Sequence, residues 1–166
     1  MCRNIRPRRW GSAIVPYNGL ALTPIPLVPL GQSREAHELD DSHPGCCMVA
    51  NATLPDGSSL TLVSIYGLFS DRTLNGQRYV PTTLHRILSD LTPILDTARN
   101  PGRRVIVGGD LNISPQVPAP DTRHHELVIK RIKAFGLVDC LGKKHTDFVR
   151  THRPKNKVSA IPWQDD

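Results

Sequence analysis

Aromatic side chains make up only 5% of this 166-residue chain, so its core has to be built mostly from Leu, Ile and Val. The few rings, Trp10, Tyr17, Tyr66, Phe69, Tyr79, Phe135, Phe148 and Trp163, therefore merit individual attention. A long apolar run is also missing. The longest candidate, Ala21 to Leu30, is broken by Pro24, Pro26 and Pro29, and it can serve neither as a membrane helix nor as the apolar region of a signal peptide. Secretion has no support in the sequence, and a cytoplasmic setting without a membrane span is expected. Cysteine is scarce as well. Cys2, Cys46, Cys47 and Cys140 form no C-x-x-C pair and no cluster with histidine at zinc spacing, which argues against a zinc module. Adjacent Cys46 and Cys47 point to opposite faces of a strand and read as free, buried thiols. No internal repeat is visible at solenoid periods.

What remains is enough for one domain. A chain of this length buries around two-thirds of its unfolded surface, and its apolar share of 39%, to which 12 glycines add, excludes wholesale disorder. The net charge of +6 is unevenly placed. Arg3, Arg6, Arg8 and Arg9 stand in residues 1–9 without an acid; the central stretch is mildly acidic; the last third is basic again. Basic ends suit a polyanionic partner such as nucleic acid, although a solvated surface has the same composition.

Trp10 to Val15 reads as a short strand, followed by a proline-spaced extended or edge segment to Leu30 and a polar, acidic loop over 31–44. Cys46–Ala52 and Leu60–Tyr66 are β-prone runs joined by the turn Pro55-Asp56-Gly57-Ser58, a hairpin pattern. In the second run Leu60, Leu62, Ser64 and Tyr66 share one face and Thr61, Val63 and Ile65 the other. Both faces are partly apolar, which places the strand in the middle of a layered domain. Leu84, Ile87, Leu88, Leu91, Ile94, Leu95 and Ala98 recur at helical spacing, with Asn100-Pro101-Gly102 beyond the end. A second helix is predicted from about His124 to Phe135, with Val128, Ile132 and Phe135 on one side and Gly136 at its end. Leu137 to Cys140 then restarts a short extended piece.

The most informative string is Val105-Ile106-Val107-Gly108-Gly109-Asp110-Leu111-Asn112. Its β-branched residues predict a buried strand, its glycines a sharp turn at the carboxyl end, and the turn presents a carboxylate and a carboxamide two residues apart. Asp110 can take a proton from water or hold a divalent cation; Asn112 can donate to a phosphoryl oxygen. A Gly-Gly turn with polar caps is the structural alternative.

This string resembles the G-D-x-N strand end of the endonuclease/exonuclease/phosphatase superfamily. Trp10 to Val15 resembles that family's "G-x-A-I-L" strand, Leu62 to Gly67 its "V-x-x-Y" strand, and Phe135 to Asp139 its "G-L-x-D" segment, all in the family's order. The resemblance implies an α+β fold forming part of a four-layer α/β sandwich, with two mostly antiparallel sheets packed together and helices outside. It implies a single partial domain over 1–166, its basic start 1–9 disordered, incomplete at both ends.

The implied activity is divalent-metal-dependent phosphoester hydrolysis. Asp110 orients or deprotonates water, Asn112 holds a phosphoryl oxygen, and Tyr66 donates to the same phosphate. Mg2+ or Mn2+, held at Asp110 and Asn112, neutralises the leaving oxygen. Asp166 matches the orienting aspartate of the family, and Arg103, Arg104, Lys143, Lys144, Arg150 and Arg153 are the candidate nucleic-acid contacts.

Two departures stand out. The family's metal-binding glutamate and its Ser-Asp-His segment have no counterpart. Glu35 and Glu38 lie in the wrong place for the first, and Asp41-Ser42-His43 has the wrong order for the second. Loss of such groups removes most of the rate, so an inactive fragment is also expected, with a non-catalytic nucleic-acid-binding remnant as the alternative. His124 and His125 read as surface residues at a helix start, and His145 and His152 as members of a basic face.

Overall fold

The computed structural model describes residues 11–68, 80–96, 101–114 and 122–145. Trp10, Arg150, Arg153 and Asp166 lie outside them, so the roles expected of those residues are not placed. The chain is mixed α+β, with the order β1 (Ala21–Pro24), β2 (Leu27–Pro29), β3 (Leu39–Asp41), β4 (Cys47–Thr53), β5 (Ser59–Tyr66), α1 (Val80–Asp90), α2 (Thr92–Leu95), β6 (Val105–Asp110), α3 (Thr122–Ala134) and α4 (Cys140–Lys144). Among the described residues the strands form a four-stranded sheet, β1-β4-β5-β6, and a two-stranded sheet, β2-β3.

The hairpin forms where turn chemistry demands it. The Leu54 amide donates to the Ser58 carbonyl at 2.8 Å and the Gly57 amide to the Leu54 carbonyl at 2.9 Å. The Asp56 carboxylate accepts from the Ser58 amide at 2.9 Å and from its hydroxyl, the local bonding that favours aspartate in turns. These bonds hold the Asp56 carboxyl below its ordinary value. The turn sets the antiparallel register Val49↔Val63 and Cys47↔Ile65, so Val49, Val63 and Ile65 come to one buried face. Cys46 and Cys47 are both buried thiols outside any disulfide, as expected.

That face is covered by α1, whose Leu84, Ile87 and Leu88, with Leu91 just beyond its end, are nearly inaccessible and join one core with Ile65 and Val63. Each such side chain stabilises the fold by roughly 1.5–3 kcal/mol. The long helix expected here is broken after Asp90. Pro93 has no amide to continue the ladder and opens a new turn, α2, because proline fits the first turn of a helix and not its interior. Helix α3 leans on α1 through Arg131, which donates to the His85 carbonyl at 2.7 Å and the Ser89 hydroxyl at 3.0 Å. The same guanidinium lies 5.9 Å from the Phe135 ring centroid.

Three further expectations need correction. Residues 11–15 form no strand; Ser12 instead hooks onto the two residues just before β4, its amide donating to the Gly45 carbonyl at 3.0 Å and its hydroxyl to the Cys46 carbonyl at 3.0 Å. The polar stretch 31–44 contains β3, because Leu39 and Asp41 are buried and pair in parallel with β2. The piece predicted extended over Leu137–Cys140 forms no strand: Asp139 is extended, but at Cys140 the chain enters α4, capped by the Asp139 side chain, which accepts from the Gly142 amide at 3.0 Å. The proline-spaced stretch does supply the edge strand β1. No helix of the described residues is long and apolar enough to cross a membrane.

Candidate functional site

β5 and β6 run parallel, joined through α1 and α2, and their register pairs Tyr66 with Asp110. Both residues stand at the carboxyl ends of their strands, where open α/β sheets place ligands. Strand alternation sends them to the same side of the sheet, opposite to Val63 and Ile65. Tyr66 is half-buried and Asp110 exposed.

The close approach behind this arrangement depends on two glycines. A side-chain carbon on Gly109 would lie 2.0 Å from the Ile65 carbonyl oxygen, and one on Gly67 would lie 2.1 Å from that of Leu111. Gly109 also has φ +124°, a region closed to other residues. Without side chains, the two strand ends are tied by the Gly67 amide, which donates to the Asp110 carbonyl at 2.7 Å.

Asn112 completes the turn in a left-handed conformation, φ 50°, which asparagine tolerates better than most residues. Its Nδ2 donates to the Gly67 carbonyl at 2.8 Å, and its backbone amide donates to Asp110 Oδ1 at 3.1 Å. Tyr66, Gly67, Asp110 and Asn112 thus form one connected, solvent-reaching corner. The same bonds also serve as caps of a Gly-Gly turn.

β6 is less buried than its β-branched sequence predicts. Val105 and Val107 turn toward the core, but Ile106 is 56% exposed, because β6 ends the sheet among the described residues. Arg103 and Arg104 are exposed at its start. Arg104 stands six positions before Asp110, about 20 Å of strand, so these arginines do not join the corner; Arg104 donates instead to the Ser59 carbonyl at 3.1 Å. Lys143 and Lys144 are exposed on α4.

His125 departs from the surface role expected of it. It is 8% exposed, and its Nδ1 accepts from the Ser114 amide at 3.1 Å, which fixes the chain two residues beyond Asn112. Its spacing with Val128 and Ile132 carried the signal: positions 125, 128 and 132 share one helical stripe. His124 is exposed, as expected.

Near the far end of α1, Asp90 accepts from the Ser42 amide at 2.8 Å and the Ser42 hydroxyl at 2.9 Å. Burial, with help from Asp41, Asp90 and Cys46, pushes the Cys47 thiol up to about 12, so it stays protonated and is no nucleophile.

Among the described residues no group of three His, Cys, Asp or Glu can hold a metal ion. Asp110 is the one carboxylate of the corner, with the Asn112 carboxamide oxygen beside it in the chain. That set is too small for a resident metal; magnesium held by one carboxylate relies on water and substrate phosphate for its remaining ligands. Comparison with protein-family models, with curated proteins and with solved structures finds no match for this chain.

Proposed function

We propose that the corner formed by Tyr66, Asp110 and Asn112 is part of a phosphoester-hydrolysing site of the endonuclease/exonuclease/phosphatase kind, with nucleic acid the favoured substrate. The observation that carries this reading is the parallel register of Tyr66 with Asp110 at the carboxyl ends of β5 and β6. A four-layer sandwich is the architecture that goes with it.

In this reading the exposed Asp110 carboxylate orients a water and takes its proton as the water oxygen attacks phosphorus, the phosphorus–oxygen bond to the leaving alcohol breaks, and the leaving oxygen takes a proton from solvent. The Tyr66 phenol, on the same side of the sheet, donates to a phosphoryl oxygen. Asn112, pinned through Gly67, keeps the turn rigid and offers its remaining amide proton to the phosphate. Magnesium or manganese, expected at Asp110 and Asn112, would have to arrive with the substrate phosphate, which would complete its ligands, and would supply charge neutralisation at the leaving oxygen. With so few acidic donors, turnover is slow and metal affinity weak.

A second reading rests on the turn-capping bonds of Asp110 and Asn112 and on the exposed Arg123, Lys130 and Lys133 of α3 and Lys143 and Lys144 of α4. In it the chain binds nucleic acid through phosphate contacts without cutting it. Magnesium-dependent cleavage of plasmid DNA and of a generic phosphodiester, measured for the chain and for Asp110→Ala, separates the two. Turnover lost in the variant supports hydrolysis. Equal rates discard the assigned site, and salt-sensitive binding without turnover favours the second reading.

A further inference from the structure

β6 presents a backbone edge with defined hydrogen-bonding groups. The Thr61 amide donates to the Arg104 carbonyl at 2.9 Å and the Gly67 amide to the Asp110 carbonyl at 2.7 Å. In a parallel ladder this phase turns the even-numbered residues toward β5, and Val105, Val107 and Gly109 direct their amides and carbonyls away from it. Among the described residues no strand lies on that side.

We propose that this edge pairs antiparallel with β6 of a second copy of the chain, about a two-fold axis through Val107. Three features select that partner and that register. Val107 meets Val107 of the partner subunit in a hydrogen-bonded pair, flanked by Val105 with the partner's Gly109, so the outward groups satisfy one another. Ile106, 56% exposed, falls opposite the partner's Gly108, where a side-chain carbon would find nothing within 4 Å; a projecting side chain meets open space. Arg104 falls opposite Asp110 of the partner subunit, giving two symmetry-related cross-strand charge pairs.

Parallel pairing in register would instead bring like charges together. The antiparallel arrangement also carries a guanidinium to Asp110, which its own Arg104, about 20 Å along the strand, does not reach. Six residues of edge bury less than a standard interface, so the dimer is weak, with a dissociation constant on the order of 100 µM. The inference stands on the strand edge and does not depend on Asp110 acting on a phosphoester.

Sedimentation equilibrium from about 10 µM to 1 mM, combined with amide exchange at the same concentrations, tests it. A monomer–dimer equilibrium is expected, with the Val105, Val107 and Gly109 amides protected only as concentration rises. Ile106→Lys, at a site already exposed in the monomer, abolishes dimerisation while leaving the circular dichroism unchanged. Arg104→Asp weakens it roughly tenfold or more, since two charge pairs become repulsions, and Asp110→Arg added to Arg104→Asp restores it. A monomer throughout the range, a dimer indifferent to these changes, or edge protection independent of concentration, which would mean the chain covers β6 itself, overturns the proposal.

Discussion

Gly108 and Gly109 are neighbours in sequence, yet alanine at the two positions has opposite consequences. At Gly109 the new carbon would stand 2.0 Å from the Ile65 carbonyl oxygen, so the ends of β5 and β6 must part by roughly 1 Å or more to restore ordinary contact. That separation disrupts the 2.7 Å bond from the Gly67 amide to the Asp110 carbonyl, a loss of about 1 kcal/mol. Forcing a side chain into φ +124° costs about 1–3 kcal/mol more. The sum, about 2–4 kcal/mol, is a large part of the stability of a domain this size. At Gly108 the added carbon meets nothing within 4 Å, and replacing glycine in a strand at a compatible conformation costs nothing and can stabilise by about 0.4–1 kcal/mol. Urea unfolding monitored by circular dichroism should show the midpoint falling for Gly109→Ala and holding or rising for Gly108→Ala. Equal shifts in the two variants would refute the close-approach argument and, with it, the geometry assigned to the corner.

Two further outcomes follow from the buried and titratable groups. A thiol-alkylating reagent applied to the native chain should label Cys140 and spare Cys46 and Cys47 until denaturant is added, as mass mapping of peptides would reveal; both spared thiols are buried, and that of Cys47 is held protonated by its pKa of about 12. Burial, then the charges of Arg131 and His124, lowers the His85 pKa below the ordinary 6.5, so the unfolded state takes up the proton first. The stabilising contribution is therefore complete above pH 6.5 and is lost as pH falls below it. The melting temperature should drop on acidification from pH 7.5 to 5, and His85→Gln should flatten that slope; an unchanged slope would remove His85 as the cause.

Local signals were legible in the sequence and long-range ones were not. Pro55 to Ser58 announced its hairpin because turn chemistry is a property of four adjacent residues. The apolar period of Leu84 to Leu91 announced α1, but the same period ran on across Pro93 and concealed the break, since periodicity ignores the missing amide. Glycines 108 and 109 marked the turn at Asp110. Its pairing with Tyr66, however, joins residues 44 positions apart, and only the helix between them hinted at a parallel crossover. The place of β6 at the edge of the sheet among the described residues was hidden because Val-Ile-Val reads alike in a central and in a terminal strand. The Trp10 to Val15 run has strand composition, but its residues 11–15 pair with no strand among the described residues and settle as a coil held by Ser12.

The central claim is that Tyr66, Asp110 and Asn112 meet one phosphate. Its most direct test is a titration of the isotope-labelled chain with a short phosphorothioate oligonucleotide in magnesium, following the backbone amide resonances. The account predicts that Tyr66, Gly67, Asp110 and Asn112 shift together and saturate, and that Asp110→Ala abolishes the shifts at the other three. Shifts confined to the basic faces of α3 and α4, with the corner silent, would contradict it.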